Sequence, residues 1–225
     1  TASTMLHYFP ACHSARLAFI VTMLLIGLGE ATTGVGQIPE DGSFRWMVEP
    51  PFLSIDPSKL PESREHPWIA VKDPSIVRYD GRWHLFCTLR KNKEGDGRIR
   101  IGYVSFGTWE QAKDAQWAVL TLTLGYHGAP QIFWFQPHRQ WYLIYQAADP
   151  SRGMEYGPCY STNDDITKPD QWTLPKPLYE VPEGSKAGLD YWVICDSEKS
   201  HLFFTSLDGR MWRAETLLQN FPDKG

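Results

Sequence analysis

One strand–turn–strand unit occurs three times in this chain, and its period limits the architectures the chain can adopt. The first copy runs over residues 76–79, turns at Asp80-Gly81 and returns over 83–88. Asp-Gly between two β-rich runs is a strong tight-turn signal. The second copy runs over 129–135, turns over 136–140 and returns over 141–146; the third runs over 189–195, turns over 196–200 and returns over 201–205. Ile76, Ile132 and Val193 open the cores of the three first strands, and three residues ahead of them stand Asp73, Ala129 and Asp190, 56 and 61 residues apart. A third run follows each hairpin, at 99–106, 158–162 and 209–214, and a fourth follows two of them, at 117–122 and 176–179. Antiparallel four-strand units repeating every ~50–60 residues have the spacing of propeller blades. A β-sandwich also uses short strands and regular turns but does not predict this repeat. The expected fold is all-β and propeller-like.

That geometry carries a chemical expectation. The first strand of each blade lines the central axis, so residues at its mouth point into one funnel. Asp73 and Asp190 then face each other across it, and Pro74, which has no N–H to donate, suits a strand start. Two carboxylates converging on a pocket are what glycoside hydrolysis needs. The alternative is that each merely caps a strand end or turn.

Charge and composition narrow the field. The formal net charge is −4 without blocks of one sign, which argues against nucleic-acid binding and against an electrostatic tail. Aromatic residues make up 14% of the chain, with ten Trp. Most suit strand cores; Trp134 and Tyr191 are candidates to line a sugar site. Residues 1–36 read as a leader: Arg16 precedes an apolar run over 17–28, too short for a comfortable membrane span, and Ala31 suits the last residue removed. Secretion into an oxidising, extracellular setting follows, with no stable membrane association. Cleavage would leave Cys87, Cys159 and Cys195, allowing at most one internal disulfide and one leftover thiol. No Cys/His spacing indicates zinc. Residues 37–62, rich in Pro, Ser and Gly, read as a lead-in to the first blade, and 37–225 as one partial propeller.

Several stretches together resemble glycoside hydrolase family 62, the secreted α-L-arabinofuranosidases of arabinoxylan. They are Trp68-Ile69-Ala70-Val71-Lys72-Asp73-Pro74-Ser75, Ala129-Pro130-Gln131-Ile132-Phe133, Trp141-Tyr142-Leu143-Ile144-Tyr145-Gln146, Tyr160-Ser161-Thr162, Trp192-Val193-Ile194-Cys195-Asp196 and Asn220-Phe221-Pro222. The resemblance implies a five-bladed β-propeller, of which this chain holds about three blades, and an inverting mechanism. Asp73 matches the general base, and Asp190 the carboxylate that orients the general acid and raises its pKa. Lys72 matches a lysine that contacts arabinose. No cofactor is implied as a requirement, although the family often holds a structural calcium near the axis. The implied partner is arabinoxylan or its oligosaccharides, bound by a monomer.

The family's general acid is a glutamate beyond the Asn-Phe-Pro segment, on a fourth blade, and the repeat also places a fourth copy past Gly225. Glu180, Glu183, Glu198 and Glu215 fall in turns or later strands. The expectation is therefore a C-terminally truncated chain of weak activity, since general acid catalysis contributes ~10²–10⁴-fold. Gln146, ending the second strand of blade two, is a candidate sugar ligand. Arg213, on the third strand of blade three, is a candidate to reach a hydroxyl or to pair with a carboxylate. His127, ahead of the Ala129-Pro130 strand mouth, is a candidate to line the funnel, with a solvated loop residue the favoured alternative. The competing readings are a sibling five-bladed arabinanase or xylosidase, and a sugar-binding pseudoenzyme that lacks the acid.

Overall fold

The computed structural model describes residues 47–60, 66–95, 97–179, 181 and 186–223; the leader read over 1–36 lies outside them, as do Glu180 and Glu183. Its strands form three antiparallel sheets. Strands β1 (Trp68–Tyr79), β2 (Arg82–Lys91), β3 (Ile99–Phe106) and β4 (Trp117–Val119) make sheet one in chain order. Sheet two is β5 (His127–Phe135), β6 (Gln140–Asp149), β7 (Met154–Asn163) and β8 (Lys176–Pro177). Sheet three is β9 (Leu189–Cys195), β10 (Lys199–Thr205) and β11 (Met211–Leu217). The three hairpins, their third strands and the two fourth strands thus all form. Asp80 and Gly81 both take positive φ, 46° and 72°, as the mirror-image hairpin turn requires.

Each β6 residue of the run Trp141-Tyr142-Leu143-Ile144-Tyr145 is buried, and the sheet stacking explains why. Trp141, Leu143 and Tyr145 share a core with Phe86, Ile101 and Tyr103 of sheet one. Their alternates, Tyr142 and Ile144, pack with Tyr191 and Val193 of sheet three. A strand covered on both faces needs an unbroken apolar run rather than alternation. Each such buried side chain contributes roughly 1.5–3 kcal/mol. The outer face of sheet one is closed by Leu60, with Leu53 and Ile55, over Leu85, Cys87 and Leu89. The lead-in segment is therefore part of the packing. Among the described residues the three cysteines are free: Cys87 and Cys159 are buried and Cys195 is exposed, so the disulfide allowed by the count does not form between them.

One expectation needs correction. β1 does not start at Pro74; it begins at Trp68 and runs through the proline to Tyr79. The ladder skips there, with Lys72 opposite Thr88 and Ser75 opposite Phe86, so that Asp73 and Pro74 together face Cys87. A bulge leaves one residue unpaired, which removes the need for the proline's missing N–H.

Candidate active site

The same bulge recurs in every sheet. In sheet two the ladder skips between Gly128 and Gln131, leaving Ala129 and Pro130 opposite Tyr145. In sheet three it skips between Phe203 and Thr205, leaving Asp190 and Tyr191 opposite Phe204. The first bulge residue is left-handed each time: φ is 53° at Asp73, 52° at Ala129 and 57° at Asp190. This conformation costs a non-glycine residue roughly 1–2 kcal/mol, less for Asp, and bulges of this kind re-aim a side chain out of the pleat. The repeat seen in sequence is thus a repeat of a strained backbone device. Two of its three copies present a carboxylate and one a methyl group.

Side chains from neighbouring sheets hold the bulges. The Ala129 N–H donates to Thr88 Oγ1 at 2.7 Å, and the Ile132 N–H to Ser75 Oγ at 3.0 Å. Gln131, two residues past Ala129 as Ser75 is past Asp73, clamps Val193: its Nε2 donates to the carbonyl at 2.7 Å and its Oε1 accepts the N–H at 2.6 Å. Gly128 keeps the approach to Ala129 narrow. A Cβ there would meet Ile99 Cγ2 at 2.9 Å and Tyr126 Oη at 3.2 Å.

Lys72 Nζ stands 3.3 Å from Asp73 Oδ2, with the lysine side chain 54% and the aspartate 35% exposed. That ion pair is open to water and adds little stability. Tyr126 feels the charge of both carboxylates. Its phenol is pushed up by burial and by the charges of both Asp73 and Asp190. Tyr126 packs edge-on against Tyr156, 5.4 Å between ring centres. The Tyr156 phenol donates to Gln146 Oε1 and is also pushed up, by burial, by Tyr126 and by Asp190. Gln146 thus bonds one member of a tyrosine pair that sequence reasoning missed, and the charges of Asp73, which pairs with Lys72, and of Asp190 bear on that pair. Those tyrosines sit outside the hairpin repeat, and no spacing marks them.

Other candidates fall elsewhere. Arg213 lies on β11, with Nη2 3.5 Å from Glu215 Oε2, two strands out from Asp190. This is the carboxylate pairing of its two alternatives. Tyr191 is core, 1% exposed, and Trp134 binds Gln136 beside the β5–β6 turn, so neither lines the mouth. His127 is not a solvated loop residue: it opens β5 fully buried, accepts the Ile101 N–H at 3.1 Å and is pushed down to about 3 by burial and by Arg100. A pocket of about 590 Å³ lies beside sheet three, lined by Tyr179, His201, Glu215 and Asp223 among others, but by neither candidate carboxylate. Among the described residues no cluster of three or more His, Cys, Asp or Glu could hold a metal ion.

Residues 58–225, which include all three bulges, match the profile of Glycosyl hydrolase family 62. The chain belongs to this family. Among curated relatives, this family 62 chain is 34% identical over 180 residues to alpha-L-arabinofuranosidase C of Cellvibrio japonicus (strain Ueda107), covering 80% of this chain and 25% of the relative. Among solved structures it is similar to the catalytic domain of the Coprinopsis cinerea GH62 alpha-L-arabinofuranosidase, at 40% identity and TM-score 0.62 over 72% of this chain and 50% of the other. It is also similar to the Podospora anserina alpha-L-arabinofuranosidase solved with cellotriose, at 36% identity and TM-score 0.56 over 68% and 48%. A GH62 hydrolase solved with xylotriose matches at 34% identity and TM-score 0.58 over 68% and 48%. The family 62 chain thus spans about half the length of these structures and a quarter of the curated relative.

Proposed function

We propose that this chain carries the Asp73/Asp190 part of a secreted, monomeric α-L-arabinofuranosidase that removes terminal arabinofuranosyl side chains from arabinoxylan with inversion. The observation that carries the reading is the placement of both family-matched aspartates on equivalent left-handed bulges, with family membership setting the chemistry. Asp73 acts as general base, activating a water on the sugar face opposite the leaving group. Asp190 orients the general acid and, by like-charge proximity, raises its pKa. Lys72 and Gln146 bind sugar hydroxyls. The three sheets are read as consecutive blades of a five-bladed propeller, supported by the repeated reach of Ser75 and Gln131 into the next sheet. The leader over residues 1–36 belongs to the same proposal.

Neither described glutamate of the late chain takes a bulge position: Glu198 lies in the β9–β10 turn and Glu215 on β11. The general acid is assigned to a fourth blade, where it would protonate the leaving xylosyl oxygen. Hydrolysis is best measured on two substrates, arabinoxylan and an aryl α-L-arabinofuranoside whose leaving group departs without protonation. The aryl substrate should be cleaved with β-L-arabinofuranose as first product. Asp73→Asn should lower that rate by roughly 10²–10⁴-fold. A rate that survives the substitution, or an α-configured first product, would refute the assignment.

A further inference from the structure

Sheet two lacks a carboxylate at its bulge, and what it presents there instead points to a sugar-facing device. Thr88 and Gln146 are equivalent: each pairs with the residue just ahead of a bulge, Thr88 with Lys72 and Gln146 with Gly128. The Thr88 hydroxyl reaches from sheet one to the bulge of sheet two. The repeat therefore directs Gln146 from sheet two towards the bulge of sheet three, where Asp190 stands. Gln146 is 3% exposed, and its carbonyl oxygen is occupied by the Tyr156 phenol. That fixes the amide, leaving its two N–H groups as donors with a set direction. The Tyr156 ring packs edge-on against Tyr126, and the residue is 37% exposed. A partly exposed aromatic ring beside a fixed amide suits a furanose, whose C–H face is apolar and whose hydroxyls need donors.

We propose that Tyr156 is a specificity-determining residue of this site: its phenol fixes the Gln146 amide, and its exposed part packs against the arabinofuranosyl ring on the Asp190 side of the site. The inference rests on the arabinofuranosidase reading and adds to it a residue that neither the repeat nor the family stretches single out. Tyr156 acts through Gln146 on the hydroxyls and directly on the ring. Removing the hydroxyl alone and removing the whole side chain should therefore have separable effects.

Calorimetric titration of the chain with an arabinosylated xylotriose and with plain xylotriose tests this. Tyr156→Phe keeps the ring and its Tyr126 contact, and should weaken the arabinosylated ligand about five-fold, one neutral hydrogen bond's worth. Tyr156→Ala should weaken it by roughly 30-fold or more. Both variants should bind plain xylotriose as the wild type does. Gln146→Ala combined with Tyr156→Phe should lose less than the two single losses together, because the pair acts as one unit. A wild type that prefers the arabinosylated ligand while both Tyr156 variants keep that preference would overturn the role of Tyr156 alone. Equal losses on both ligands would overturn it too, marking a merely structural residue. A wild type without any preference for the arabinosylated ligand would sink the arabinofuranosidase reading and this inference with it.

Discussion

At the scale of single residues, backbone strain marks the site. Asp73, Ala129 and Asp190 share a left-handed φ in a run of extended chain. A structure bears such a cost where function or packing over-determines it. Ala129 carries no functional group, so relieving it should be free of catalytic consequence. Ala129→Gly is expected to raise stability by about 1 kcal/mol, read as a shift of the urea midpoint at constant m-value. Asp73→Gly should gain less, because Asp tolerates this region better, and should abolish hydrolysis. The positions of these three residues were legible from the period alone. Their conformation was not: Asp-Pro reads locally as a strand start, and only the ladder to β2 shows that the strand continues past it.

At the scale of elements, the sheets are joined by side chains that bond backbone. Gln131 is buried and satisfies both the N–H and the carbonyl of Val193. Gln131→Ala would strand two buried groups, each worth roughly 1–3 kcal/mol, and should cost about 2–5 kcal/mol in a denaturant melt. Ser75→Ala removes one such bond, to Ile132, and should cost about 1–3 kcal/mol. Gln131→Glu tests the clamp more finely: protonated it keeps both an acceptor and an O–H donor and should cost less than alanine, whereas ionised it loses the donor and sets a carboxylate oxygen against the Val193 carbonyl. Strand order and hairpin register were readable from alternating apolar runs and turn residues. These cross-sheet bonds were not, since the partners lie 57 and 62 residues apart and neither Ser nor Gln signals its partner in sequence. The Tyr126–Tyr156 pair escaped for the same reason.

At the scale of the whole molecule, stability depends on groups buried between sheets. His127 on β5 accepts the Ile101 N–H of β3, and burial with the nearby Arg100 charge pushes it down from 6.5 to about 3. Above pH 6.5 the imidazole is neutral in both folded and unfolded chains and contributes nothing to pH dependence. Below 6.5 the unfolded chain takes up a proton that the folded chain refuses, so stability falls as pH falls, until about pH 3. The slope from this group approaches 1.4 kcal/mol per pH unit, or about 2.5 kcal/mol between pH 6.5 and 4.5. His84, also lowered by burial, acts in the same sense. The lowered carboxylates such as Asp149 and Asp165 lose stability only at lower pH, so the window from 6.5 to 4.5 belongs to the imidazoles. His127→Asn keeps an acceptor near the Ile101 N–H and removes the titration. Urea melts at pH 7.0 and 4.5 should show the wild type losing about 2.5 kcal/mol more than the variant over that interval. Equal losses would mean that the His127 pocket admits the proton, and that sheets one and two part at this seam more readily than their packing implies.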